Sequence, residues 1–382
     1  VTTASRATLL TPAFVALTIA ELLYFTAAGV LLAATPLFAR DDLRAGETAI
    51  GLALGAFSAG TLLLRPFAGR WSDRHGRRRL LIGGCVLFAV VVLGHLLVHS
   101  VVALVGLRLL LGCAEAAFFV ASFAALADLA PPDRTGEALS LNSLALYLGI
   151  ATGPGLAQVA IGVDGFRGAW LTAAALAAVA CLLAVRIPET NPEASQTAGR
   201  LIHSAALGPG SALAAGLAAS AAFLGFGVLH AREVGLAPWA LAPLVFGGTV
   251  VVLRIVLRSL PDRANPARLT AMALAVDAAA LLVLGVWSAP VGVIAGALLL
   301  GLGTTLITPA VFATVLSRVP AGERGSAVAT TSLFIDLGLT GGPVGIGVVA
   351  AYSGVGGAFA WWAALPAVAA IAVLARPRRL EA

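Results

Sequence analysis

The chain has 382 residues, 60% of them hydrophobic and 11% charged, with a mean hydropathy of +0.99 and a formal net charge of +6. A water-soluble domain of that make-up could not cover itself with polar surface, so the bilayer is its solvent. All 24 basic residues are Arg, and they are dealt out between apolar runs instead of forming one patch, which argues against a nucleic-acid-binding domain.

A window of about 20 residues, enough helix to cross about 30 Å of hydrocarbon, finds twelve apolar runs. They lie at 11–38, 48–68, 80–98, 102–129, 137–161, 168–187, 208–229, 238–260, 269–287, 291–318, 326–351 and 357–375. None alternates polar with apolar residues, so an all-α membrane protein is expected and a transmembrane barrel is not. The first run follows Arg6 and has no small-residue cleavage site after it, so it is expected to be a retained helix. It carries Glu21, with Tyr24, Phe25 and Ala28 on the same helical face. An acid beside aromatics suits an apolar cation; ordinary packing is the plainer reading of the ring pair.

Between the second and third runs lies "GRWSDRHGRRRL", 69–80, five arginines around one Asp and two Gly. Gly69 and Gly76 are expected to permit a tight turn, and Asp73 offers an anion within reach of a helix N-terminus or a neighbouring Arg. A plain anchor on anionic headgroups would explain the arginines but not the ordered Gly, Asp and Gly. His95 and His99, near the end of the third run, have no third ligand in sight, and no metal site is expected. The fourth run embeds two charges, Arg108 and Glu115, which share one helical face with Gly112, Phe119 and Ser122. Seven residues apart, the pair stands about 10 Å apart along the helix and cannot simply pair with itself. Charges at this depth face a cavity or a partner; capping of backbone carbonyls is the structural alternative for Arg108.

The fifth run contains "GIATGPGLA", 149–157, with Gly149, Gly153 and Pro154. After it comes a polar linker, 188–207, and six further runs. Asp277 in the ninth run and Asp336 in the eleventh are the remaining embedded acids. Phe118, Phe119, Phe223 and Phe226 could supply apolar wall, and Asn142, Ser220, Thr304, Thr305 and Thr308 hydrogen bonds. Cys85, Cys113 and Cys181 fall inside apolar runs and read as small buried hydrophobes. Neither a phosphate-binding Gly loop nor a nucleophile motif occurs, so ATP-driven transport and catalysis are not expected.

The chain repeats itself. A single shift of 189 residues carries Arg65, Asp73 and Arg74 onto Arg254, Asp262 and Arg263, "LLLG" at 109–112 onto 298–301, and "GP" at 153–154 onto 342–343. Two six-helix bundles are therefore expected, 1–187 and 208–382, joined by the linker 188–207. With the N-terminus inside, only Arg40, Arg44, Arg167 and Arg232 fall outside and Arg108 lies in mid-membrane, which places both termini in the cytoplasm by the positive-inside rule. Trp170, Trp239 and Trp287 would then mark the outer interface and Trp71 the inner one.

These motifs together resemble the major facilitator superfamily of secondary transporters, over essentially the whole chain. The stretch Gly69, Asp73, Arg74, Gly76, Arg77 and Arg78 is similar to that superfamily's signature loop, which implies a latch. Asp73 would meet the helix start near Gly325, and Arg77 would pair with Asp128. "LVGLRLLLGCAEA", 104–116, resembles the motif with a membrane-embedded Arg. The resemblance implies a coupling role for Arg108 but none for Glu115, where many relatives carry a small residue. "GIATGPGLA" resembles the signature of the superfamily's proton antiporters; Ala157 and Gln158 replace the usual glycines, and the copy at 338–347 matches as well, so a purely structural bend stays open. In the implied fold, helices 1, 4, 7 and 10 line the cavity. Glu21, Tyr24, Phe25, Arg108, Glu115, Phe119, Asn142 and Asp336 are then the cavity and coupling candidates. Asp277 sits awkwardly on an outer helix, where a structural hydrogen bond to a neighbouring helix or headgroup water is expected.

Desolvation favours the neutral form of a carboxyl, so such acids can trade protons with a substrate. The expectation is a proton-coupled exporter of small lipophilic or cationic compounds, multi-pass in an inner membrane and driven by the proton motive force without a cofactor. Its partners would be a small-molecule substrate, protons and lipid, and it would act as a monomer. The rivals are a sugar or metabolite permease of the same fold and, from another class, a membrane receptor or membrane-embedded enzyme.

Overall fold

The computed structural model describes residues 9–131, 134–190, 203–257, 260–320 and 323–375, and among these every regular element is a helix. The side chains at 73, 136, 140, 261, 262 and 325 fall outside the description as well. In chain order the helices are α1 (Pro12–Asp41), α2 (Glu47–His75), α3 (Arg77–Gly94), α4 (Val101–Leu129), α5 (Thr135–Ala184), α6 (Ser204–Glu233) and α7 (Leu241–Val256). A single turn, α8 (Leu260–Arg263), precedes α9 (Pro266–Val286), α10 (Pro290–Leu316), α11 (Arg324–Trp362) and α12 (Ala364–Ala375).

Nine helical stretches among the described residues are long and apolar enough to cross a membrane. Two of them, Glu137–Ala184 and Ser326–Ala375, are 48 and 50 residues long, about twice what a crossing needs. Each is interrupted: α5 leaves helical geometry at Asp164 and Gly165, and α11 at Gly354 with φ 71°. Each therefore holds two of the apolar runs, and the 16-residue α7 holds the eighth.

Where sequence and structure part is at the signature stretch. Its first seven residues continue α2 as far as His75, α3 begins at Arg77, and the turn is the single residue Gly76 with φ 93°. Gly69 lies inside α2 with open space where a Cβ would stand, so it does not make the turn. Trp170 is not an interfacial anchor either. It is 2% exposed and packs on His95 and Phe166, whereas Trp71 and Trp287 are exposed.

By their contacts the residues form two compact units. One comprises Val1–Leu31, Gly60–Val98 and Leu107–Gln196; the other comprises Leu32–Ala59, His99–Gly106 and Thr197–Ala382. In the first, α1 and α5 cross backbone to backbone: a Cβ on Gly153 would stand 2.5 Å from the Cα of Gly29, and one on Gly149 2.9 Å from the carbonyl of Leu22. The second unit repeats this with α6 and α11. There Cβ atoms on Gly338 and Gly342 would meet the carbonyls of Ala214 and Ala218 at 2.6 and 2.4 Å. The shift of 189 residues that aligns the sequence also relates these two crossings, Gly149 to Gly338, Gly153 to Gly342 and Gly29 to Ala218. Small residues let helices approach this closely without a hydrophobic drive between them. The core of the second unit is Leu213, Leu274, Ile307, Val311 and Val315.

Candidate functional site

In the first unit, α1 holds Glu21 fully buried one turn before an aromatic cluster. Its Oε1 accepts a hydrogen bond from Asn142 Nδ2 of α5 at 2.9 Å and a weaker one from Ser122 Oγ of α4 at 3.5 Å. The Ser122 hydroxyl has a shorter alternative, the Phe119 carbonyl at 3.1 Å, so Asn142 is the main donor. Oε2 has no hydrogen-bond partner among the described residues. Three helices thus bring an acid and an amide together from positions that lie 121 residues apart.

Tyr24 stacks on Phe118 with ring centroids 4.0 Å apart and 6° between planes, and Phe88 and Phe25 close around it. Its π face is filled from inside the protein, so Tyr24 and Phe118 act here as core. Phe119, one residue further, presents its ring to the guanidinium of Arg65, 5.3 Å from the centroid. That contact is a cation–π pair. Arg65 was visible in the sequence only as a member of the repeat; nothing there pointed to Phe119, because the pairing depends on how α2 lies against α4.

A second acid sits where α2 and α4 touch. A Cβ on Gly60 would stand 2.1 Å from the carbonyl of Leu109, and this close approach brings Thr61 Oγ1 to 2.9 Å from Glu115 Oε2. The same hydroxyl lies 3.2 Å from the Gly112 carbonyl. Glu115 and Arg108 are both nearly enclosed, 8% and 3% exposed, two turns apart on α4.

At the α2–α3 turn, Arg77 Nε donates to Asp128 Oδ2 at the end of α4 over 3.3 Å, and its Nη1 donates to Ser72 Oγ over 3.0 Å. The side chain of Asp73 lies outside the described residues, so its contact is not assigned. Arg74 is exposed at the end of α2. Glu189, on the linker that the sequence showed only as polar, is brought under the turn. Its carboxylate accepts from the Arg78 backbone N–H over 3.2 Å, filling the place of a cap at the α3 N-terminus, while Arg78 Nη2 donates to the Val185 carbonyl. A Cβ on Gly76 would lie 2.4 Å from that carboxylate, a second reason for glycine there.

In the second unit Asp336 is buried on α11, and Phe223 and Phe226 are fully buried on α6. Ser220 and Thr304, expected as hydrogen-bonding groups for a ligand, bond to each other at 2.6 Å, and the Thr305 hydroxyl is taken by the Gly301 carbonyl. Asp277 has neither the helix partner expected of it nor exposure: it is 0% exposed, and both carboxyl oxygens lack a partner among the described residues.

The same unit contains a feature the sequence reading missed. α1 and α6 end on matching triplets, Ala39–Arg40–Asp41 and Ala231–Arg232–Glu233, and these pair reciprocally. Arg40 Nη1 donates to Glu233 Oε1 over 2.5 Å and Arg232 Nη1 to Asp41 Oδ2 over 2.7 Å, with Glu47 joining Arg40 at 3.1 Å. Nearby, α2 and α11 meet so closely that a Cβ on Gly51 would lie 2.4 Å from the Pro343 carbonyl. The triplets are three residues out of step with the 189-residue shift, which hid them.

The chain is similar to known proteins over most of its length. An uncharacterised MFS-type transporter of Salmonella typhimurium is 30% identical over 346 residues, 86% of this chain and 87% of that protein. Multidrug resistance protein 1 of Bacillus subtilis is 27% identical over 339 residues, 84% and 85% of the two chains. Among solved structures, a bacterial homologue of the human lysosomal transporter Spinster, in an inward-facing and occupied conformation, superposes with a TM-score of 0.78 over 94% of this chain and 95% of that one, at 14% identity. That likeness is one of fold. The profile of the Major Facilitator Superfamily matches residues 17–343, and the chain belongs to this superfamily: a multi-pass membrane protein of the transporter type and not an enzyme.

Proposed function

We propose that the chain is a proton-coupled exporter of small lipophilic or cationic compounds, built as two six-helix bundles in a bacterial inner membrane with both termini in the cytoplasm. The observation that carries this reading is Glu21, a buried acid in mid-helix held by one amide, with its second oxygen without a partner among the described residues. Such a group can hold a proton in one state and exchange it for a cationic substrate in the other. Asn142 steadies the carboxylate once the proton leaves. Phe119 already accepts the Arg65 guanidinium, so its ring is a place where a substrate cation competes with a resident one. The name of the Bacillus subtilis relative agrees with drug export.

Movement is alternating access, the mode open to a transporter built from two halves of like topology. The positive-inside distribution puts the Arg77–Asp128 pair at the cytoplasmic face and the Arg40–Glu233 and Arg232–Asp41 pairs at the outer face. In the state described the outer ends of α1 and α6 are clasped. Breaking the clasp opens the outward path.

The test is efflux of a preloaded lipophilic fluorescent cation from an efflux-deficient bacterium, with and without a protonophore. Wild type should empty the cells faster than the empty vector, the protonophore should abolish the difference, and Glu21→Gln should match the vector at equal expression. Wild-type cells that behave like the vector refute drug export and turn attention to a permease of narrow substrate range.

A further inference from the structure

Asp277 has no place in the mechanism above. It lies halfway along α9, against α6 and α10, at a point where both neighbours are glycine. A Cβ on Gly303 would stand 2.0 Å from its Oδ1, and one on Gly216 3.1 Å from its Oδ2. Any side chain at Gly303 would push the carboxyl out of its seat. The seat is therefore cut for a carboxyl group, yet it offers neither oxygen a donor among the described residues.

Among the described residues, the middles of the helices packed against α9 carry no compensating charge. α10 and α12, packed against α9, contain no titratable residue. α6 has His230, Arg232 and Glu233, all in its last turn and about 20 Å further along by helical rise than Gly216. α11 has Arg324 at its start, Asp336 in its middle and Tyr352, which is exposed; α9 itself has Arg268 in its first turn. Among the described residues of these helices, the one titratable group embedded in mid-helix besides Asp277 is thus another acid, Asp336. A bare carboxylate in hydrocarbon-like packing, with no cation and no donor, is far costlier than a carboxylic acid. The Ala273 carbonyl, four residues back on α9, and Asp277 Oδ1 both border the point that Gly303's Cβ would occupy, at 2.9 and 2.0 Å. A carbonyl oxygen repels a carboxylate and accepts from a carboxylic acid.

We infer that Asp277 is a proton-binding site of the second unit, occupied in the packing described and emptied when α6, α9 and α10 loosen around it. The ligand is a proton, bound as O–H on one carboxyl oxygen and released to water when the seat opens. This rests on the transport reading only in its second clause; occupancy of the site is independent of what the protein carries.

Infrared spectroscopy of the purified protein in nanodiscs at neutral pH reads the occupancy directly. The expected result is a protonated-carboxyl C=O band that exchanges slowly in D₂O and disappears in Asp277→Asn while the other acids keep theirs. Where that variant fails to fold, labelling wild type with carboxyl-¹³C aspartate, with Asp336→Asn as the second sample, asks the same question: a label-shifted band that survives Asp336→Asn supports the site. No protonated aspartate band, or a band unchanged in Asp277→Asn, overturns it. For the second clause, Asp277→Asn should transport with a flattened pH profile, being permanently neutral in an unaltered seat. A profile identical to wild type overturns the release step, whereas loss of all efflux by wild type itself would strike the transport reading and leave the infrared result standing.

Discussion

Replacing Asp41 by Asn together with Glu233 by Gln removes the two carboxylates that link α1 to α6 and leaves Arg232 without its partner and Arg40 with Glu47 alone. The five participating side chains, Glu47 included, are 24% to 43% exposed, so water and salt screen them and each arm is worth about 0.2–1 kcal/mol. With both arms gone the double variant should lose about 0.4–2 kcal/mol of the clasped state. At about 1.4 kcal/mol per tenfold change in an equilibrium constant, the parted conformer gains about two- to thirtyfold. Distance measurements between labels at Asp42→Cys and Ala237→Cys, both exposed, would read this in a background where Cys85, Cys113 and Cys181 are replaced. The long-distance population should grow in the double variant and in Arg232→Asp. It should shrink again when Arg232→Asp is combined with Asp41→Arg. At about 1 M salt, where the Debye length is about 3 Å, wild type and variants should converge. Identical distance distributions in all of them at low salt would show that the reciprocal pairs do not hold the helices together.

Three further outcomes follow from the packing. Gly76→Ala puts a side chain at φ 93° and against the Glu189 carboxylate, and should cost about 1–2 kcal/mol, read as a lower Tm in detergent. Gly76→Ala with Glu189→Ala should regain less than half of that, since the backbone strain persists. Gly153→Val drives a side chain into the α1 backbone and should abolish transport, while Gly155→Val, at a position with open space, should leave it intact at equal expression. Asn142→Leu deprives Glu21 of its principal donor, a bond worth about 1.5–3 kcal/mol when the acceptor is charged, and should slow proton release so that efflux falls at low pH more than at high pH. An Asn142→Leu variant with a wild-type pH profile would remove the amide from the coupling account.

Helix number and position were legible because lipid imposes a length and a composition on each crossing, and the apolar runs obey both. That the Gly-Pro stretches of α5 and α11 permit close packing was legible, since the same glycines recur at one shift; that they meet α1 and α6 was not. What stayed hidden is what depends on contact between distant segments. Glu189 reads as one more polar linker residue until the chain returns beneath Gly76. Arg65 reads as an inner-face arginine until α2 lies against Phe119. The two Ala-Arg-acid triplets were obscured by a three-residue offset in the repeat. For Asp277 the expected hydrogen bond is not found among the described residues, because sequence shows an acid in an apolar helix but not the two glycines on other helices that seat it. Trp170 misled for the opposite reason: its place near a helix end suggested an interface, and burial against His95 decides otherwise.

The central claim, that Glu21 exchanges a proton for substrate, is tested most directly in proteoliposomes carrying purified protein and a pH-sensitive dye inside. An imposed gradient of a lipophilic cation across the membrane, with no pH difference at the start, should drive protons the opposite way in wild type. Glu21→Gln should move no protons under the same gradient. Substrate flux through wild type without any accompanying pH change, or undiminished proton flux in Glu21→Gln, would contradict the account.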